Sequence, residues 1–332
     1  MRGSNTSRAR ARRIALGVLS AVATTLNVAC DERVPLGSWD QQAPGNGQSS
    51  GSSGLGGQAG APTEGGSAGL DSGEVHACQA PGNPQPLNDP GDLVDVTTTY
   101  TDWTFPSPID SLEWTLEIES ELASDGYFWS HQFGFTGDRS VIAFVGLQAR
   151  GGFQPDPPFG PATITDMVVF WISSSLEAEL GDTSYPDART YQQVDSEREW
   201  WTIHVRYDLQ VCRPYALRVG RLTADGTDDI WYGAWIRDVE LGSETFLGRI
   251  LVPASWGRIA ARTSMWSSRI GWGSLTSCSD SEPAMAFFGA PTAENGTVRP
   301  GTPVNRFSAS LGCPSSRFTP FADGVRQELG AR

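Results

Sequence analysis

Residues 111–120 read SLEWTLEIES, in which Leu112, Trp114, Leu116 and Ile118 alternate with Glu113, Thr115, Glu117 and Glu119. A period of two puts every apolar side chain on one side of an extended chain, the pattern of a strand with one buried face. A helix needs a period near 3.6 and would scatter the same residues around its circumference. The alternation, or a short apolar run bounded by turn residues, recurs at 93–100, 127–135, 141–148, 167–172, 200–207, 215–222, 230–239 and 246–252. Ser-Asp-Gly at 124–126, Thr-Gly-Asp at 136–138 and Ala-Asp-Gly at 224–226 supply turns between them. Strands at this spacing, with no long amphipathic helix among them, predict an all-β fold: an antiparallel β-sandwich or jelly roll. Residues 318–329 are expected to form a short helix, and no repeat of the kind that builds propeller blades is visible.

The N-terminus has a different character. Residues 1–29 carry a basic start through Arg13, an apolar stretch from Ile14 to about Ala23, and then mostly small residues, as a signal peptide does. The apolar stretch falls short of the roughly 20 residues that cross a bilayer. Arg12 and Arg13 followed by Ile-Ala-Leu match a twin-arginine signal only loosely. Leu26-Asn27-Val28-Ala29-Cys30 resembles the lipobox of bacterial lipoproteins, with Asn27 where that motif usually has leucine, and the resemblance implies acylation of Cys30. Residues 30–77 are rich in Gly, Ser, Ala and Gln, bury too little surface to offset their conformational entropy, and read as a flexible tether. The expected location is therefore outside the cytoplasm: lipid-anchored to a bacterial membrane or the cell surface, or otherwise secreted.

All 24 basic residues are arginine, and five precede the first acid, so loss of the leader leaves 19 positive against 38 negative charges. So acidic a chain repels phosphate backbones and anionic lipid, which excludes nucleic acid as an expected partner and leaves the lipid anchor as the membrane contact. The folded part is expected to be one domain over residues 78–332, with Cys78, Cys212, Cys278 and Cys313 forming two disulfides in an oxidising compartment. Three pairings are open. The spacings are too wide for a CxxC zinc knuckle, and only His76, His131 and His204 are available as histidine ligands.

The runs YFWSHQFGF (127–135), IAFVGLQ (142–148), VVFWIS (168–173), WYGAWIRD (231–238) and ETFLGRILVP (244–253) together resemble an uncharacterised family of secreted bacterial proteins, domain of unknown function 3472. The resemblance implies a β-sandwich associated with carbohydrate or the cell surface, and assigns no catalytic residue.

Three constellations are candidates for chemistry. Tryptophans suit sugar rings, whose C–H faces stack on indole while amides and acids bond the hydroxyls, so Trp129, His131, Gln132, Gln148, Trp231 and Trp235 are expected ligand-binding residues. Core packing is the competing fate of each. Glu117 and Glu119 share one strand face and, with Asp238 or Glu244, are candidate carboxylates for a polysaccharide-active glycosidase or lyase; solvated acids on a half-exposed strand give the same pattern. Asp225, Asp228 and Asp229 suit calcium, the one cofactor the sequence suggests, and equally a plain hairpin turn. HExxH, P-loop, Rossmann and GxSxG motifs are absent, while a dispersed Ser-His-Asp triad stays open. Carbohydrate or another envelope component is thus the first expected partner, with a polysaccharide-active enzyme and a structural or protein-interaction module as alternatives. The sequence discloses no reaction.

Overall fold

The computed structural model describes residues 76–78, 98–120, 126–138, 140–153, 163–181, 188–194, 199–222, 228–269, 283–307 and 317–329. The leader, Cys30, the tether up to residue 75, Asp225, Cys278 and Cys313 lie outside these segments. Among the described residues the strands are β1 (Thr99–Thr104), β2 (Ser111–Ile118), β3 (Tyr127–Phe135), β4 (Ala143–Phe153), β5 (Thr163–Ser173), β6 (Glu177–Leu180), β7 (Arg189–Val194), β8 (Glu199–Arg206) and β9 (Pro214–Arg221). They continue with β10 (Ile230–Asp238), β11 (Glu244–Val252), β12 (Ile259–Arg269), β13 (Ala284–Gly289), β14 (Thr292–Ala293), β15 (Val304–Phe307), β16 (Arg317–Phe321) and β17 (Gly324–Leu329).

Two antiparallel sheets stack into a sandwich. The eight-stranded sheet has the order β15-β1-β12-β3-β4-β5-β8-β7, and the nine-stranded sheet runs β16-β17-β13-β2-β9-β10-β11-β6 with β14 paired to β2. The alternation in β2 is realised as predicted: Leu112, Trp114, Leu116 and Ile118 are buried between the sheets and Glu113, Thr115 and Glu117 face outward. Trp129, Phe133, Val145, Leu147, Phe170, Leu217 and Ile236 fill the same core from both layers.

The helix expected over 318–329 is a hairpin instead, β16 paired to β17 through a tight turn after Phe321. Phe318, Phe321, Val325 and Leu329 are spaced three or four apart and imitate a helical stripe, yet Val325 and Leu329 enter the core from one side of a strand. Gly324 makes the turn's exit possible, because a Cβ there would lie 2.2 Å from the Phe288 carbonyl oxygen.

Cys78 and Cys212 are bridged, with Cα atoms 5.6 Å apart and a sequence separation of 134. The bridge holds the short segment at His76 onto the outer face of the nine-stranded sheet, where the imidazole stacks on Phe287 at 3.8 Å and meets the edge of Phe321 at 5.2 Å.

Candidate functional site

The outer face of the eight-stranded sheet is not the polar surface that a half-buried strand usually turns to water. In β3, Tyr127, Trp129, Phe133 and Phe135 point into the core, so Phe128, Ser130 and Gln132 must point out. Register then places Gln132 opposite Phe144, Phe128 opposite Gln148, and Phe144 opposite Trp171. Phe128, Met167 and Val169 form a second apolar cluster on this face, with Phe144, Trp171 and Trp266 packed half-buried against it.

Ring contacts run almost the whole width of the sheet. Tyr100 stacks on Trp266 at 6.3 Å, Trp266 meets Phe128 at 5.3 Å, Phe128 meets Phe144 at 5.2 Å, Phe144 stacks on Trp171 at 5.0 Å, and Trp171 meets Trp200 at 6.4 Å. From β1 to β8 this crosses five inter-strand gaps, about 24 Å at 4.8 Å each. Between the rings lie small and neutral polar residues: the half-buried Gln132 and Gln148, the buried Ser130, Ser264, Ser268 and Thr202, and Gly146. Gly146 keeps the floor low, since a Cβ there would sit 2.3 Å from the Ser130 Cβ. The Ser130 Oγ, Trp171 Nε1, Trp266 Nε1 and His204 Nδ1 are all buried without a hydrogen-bond partner. Burial pushes His204 down to about 4, so this imidazole is neutral at physiological pH.

One end of the ring chain is rigidly built. Asp102, 4% exposed, accepts from Arg262 Nη2 at 2.7 Å, Arg306 Nε at 2.9 Å and Ser264 Oγ at 2.6 Å, and Arg306 lies 3.9 Å over Tyr100. Burial alone would raise the Asp102 carboxyl, but the Arg306, Ser264 and Arg262 hydrogen bonds outweigh it and hold the group below the usual range.

The residues singled out from sequence divide among three surfaces. Gln132 and Gln148 are on the aromatic face. Trp129 and His131 do not line it: both are fully buried between the sheets, where His131 Nε2 shares a hydrogen bond with Thr263 Oγ1 at 2.8 Å and its ring meets the edge of Trp114 at 4.7 Å. Burial pushes His131 down to about 3. Trp231 and Trp235 are on the outer face of the opposite sheet, each covered by a guanidinium, Arg249 at 4.2 Å and Arg218 at 3.9 Å. One face of each of those rings is thus taken up by a cation–π contact.

The acids separate as well. Asp238 pairs with Arg213 at 2.7 Å and accepts from the Leu241 backbone N–H at 2.9 Å, and Glu244 pairs with Arg218 at 3.1 Å. Neither joins Glu117, on β2, and Glu119, just past its end, which lie together beside His76. Glu119 is fully buried and clamped by Arg326, Nε on Oε2 at 2.5 Å and Nη2 on Oε1 at 2.9 Å. Burial, reinforced by the neighbouring Glu119 charge, pushes the Glu117 carboxyl up. The pair belongs to a cluster of ion pairs with His76 and Arg326. Of the aspartates proposed for calcium, Asp228 is exposed and Asp229 accepts from the Ala254 N–H at 3.1 Å. A cleft of about 180 Å³ at one end of the sandwich, lined by Ile118, Arg150, Asp166 and Gln210, is below the size of ordinary small-molecule pockets.

Trp171, Trp200 and Trp266 belong to the tryptophan density visible in the sequence, Phe144 stood out in no pattern, and the neighbouring strands left a further signal. β3 and β5 read as near-continuous apolar runs, YFWSHQFGF and MVVFWIS, and such strands bury both faces.

No protein-family model matches the chain, and no curated protein matches it. Among solved structures, scytalido-glutamic peptidase bound to a transition-state analog inhibitor is similar at a TM-score of 0.37 and 9% identity, covering 71% of this chain and 98% of the peptidase. The same peptidase with a peptide-based analog is similar at 0.33 and 8%, covering 72% and 100%.

Proposed function

We propose that the protein is exported and lipid-anchored, and that its sandwich domain binds carbohydrate through the outer face of the eight-stranded sheet. The observation that carries this reading is the chain of rings from Tyr100 to Trp200 interleaved with neutral hydrogen-bonding groups. Aromatic faces match the C–H faces of sugar rings, and the amides of Gln132 and Gln148 match hydroxyls. The buried Trp171 Nε1, Trp266 Nε1 and Ser130 Oγ each cost about 1–3 kcal/mol while unpaired. Sugar hydroxyls, directly or through an ordered water, would supply their missing partners. Charge sits at the edge of the face, with Asp102 saturated by two arginines, so the ligand class is a neutral oligosaccharide long enough to lie across several strands.

The test is retention on immobilised neutral polysaccharides, with product analysis of the same incubations. Retention of the wild type, lost in Trp171→Ala and Trp266→Ala variants of native-like circular dichroism, is the expected result. Passage of the wild type through every column would remove the reading, and release of oligosaccharides would replace it with an enzyme.

A further inference from the structure

We infer that His76, Glu117 and Glu119 form a zinc site that pins the start of the folded domain to strand β2. Glu117 on β2 and Glu119 just past its end both turn a carboxylate towards His76, which the Cys78–Cys212 bridge brings to them. The His76 side chain is only 5% exposed, and neither of its ring nitrogens makes a hydrogen bond. Stacking on Phe287 at an interplanar angle of 2° fixes the ring so that Nε2 is 3.3 Å from Glu119 Oε1 and 3.7 Å from Glu117 Oε2.

Those separations decide between two explanations. A protonated imidazole bonded to a carboxylate closes to about 2.7–2.9 Å. Two ligand atoms on one tetrahedral zinc, each bonded at about 2.0–2.1 Å, stand about 3.4 Å apart. The two edges at His76, 3.3 and 3.7 Å, are closer to the second geometry than to the first, and the three donor atoms lie within 4.8 Å of one another. One imidazole nitrogen and two carboxylate oxygens suit zinc better than calcium, which favours an all-oxygen shell. Arg326 then plays the outer-shell part, orienting Glu119 while leaving the second lone pair of Oε1 for the metal. Glu117, the most exposed of the three at 13%, leaves a fourth position for water. Cys78 and Cys212 lie beside Glu117, but as a disulfide they have no thiolate to offer.

The experiment uses the full-length exported protein without a histidine tag, its disulfide confirmed by the absence of free thiols, stripped with chelator and then titrated with zinc. Roughly one zinc per chain by mass spectrometry of metals, and a melting temperature raised by zinc and lowered by chelator, is the expected result. His76→Gln and Glu117→Gln each keep the fold and should weaken zinc by more than about 100-fold, beyond what loss of an outer-shell group does. Stoichiometric zinc retained in both variants, or a wild type that takes up no zinc and melts identically with and without chelator, would overturn the site. Calcium uptake in place of zinc would overturn it too.

Discussion

His131 stands on the inward face of β3, fully buried, with Thr263 as its hydrogen-bond partner. It is neutral in the folded protein down to about pH 3, whereas the unfolded chain takes up a proton near pH 6.5. The depressed value means that stability is complete above about 6.5 and drains as the pH falls, with a slope approaching about 1.4 kcal/mol per pH unit for this one group. Glu117 and Asp166, pushed up by burial, act in the opposite sense, so the informative quantity is a difference. Urea unfolding of His131→Gln should show a dependence shallower than the wild type by about one proton between about pH 6 and 4; parallel curves would show that the imidazole charges freely in the fold. None of this is legible from residue type, because His131 and His204 look alike in sequence and differ only in which face of the sheet they occupy.

At the scale of elements, the sequence reading succeeds wherever one strand carries its own alternation, as β2, β9 and β10 do. It fails where identity depends on a partner strand. β12 reads IAARTSMWSSR, too small and polar to announce a central strand, yet it lies between β1 and β3. Its place is secured by long-range bonds: Gln327 of β17 accepts from Ser267 Oγ at 2.6 Å and Thr99 Oγ1 at 3.0 Å, and donates to Thr101 Oγ1 at 2.9 Å and the Met265 carbonyl at 3.2 Å. This buried amide ties the two sheets together with partners 60 to 228 residues away in sequence. Gln327→Leu strands those hydroxyls and should cost about 3 kcal/mol, read as a lower denaturant midpoint with unchanged slope. The disulfide closes a loop long enough that replacing Cys78 and Cys212 together by Ser should cost about 4 kcal/mol. That double variant should melt below the oxidised wild type; a midpoint equal to the oxidised protein would show that the bridge adds nothing.

Across the whole molecule, the two outer faces have opposite characters. On the nine-stranded sheet Trp231 and Trp235 are capped by arginines, whereas on the eight-stranded sheet ring meets ring from Trp266 to Trp200. Aromatic density was visible in the sequence, but assigning each ring to core, capped face or open face needed both register and the second sheet. Trp129, Trp231 and Trp235 were as conspicuous as Trp171 and Trp266 for that reason. The most direct measurement is a matched comparison by calorimetry, against whichever neutral oligosaccharide the wild type retains, of Trp171→Ala and Trp235→Ala. Loss of an anchoring ring costs about 2 kcal/mol, so Trp171→Ala should bind roughly 30-fold more weakly while Trp235→Ala binds as the wild type does. Equal affinity of Trp171→Ala and wild type, or a loss confined to Trp235→Ala, would contradict the account.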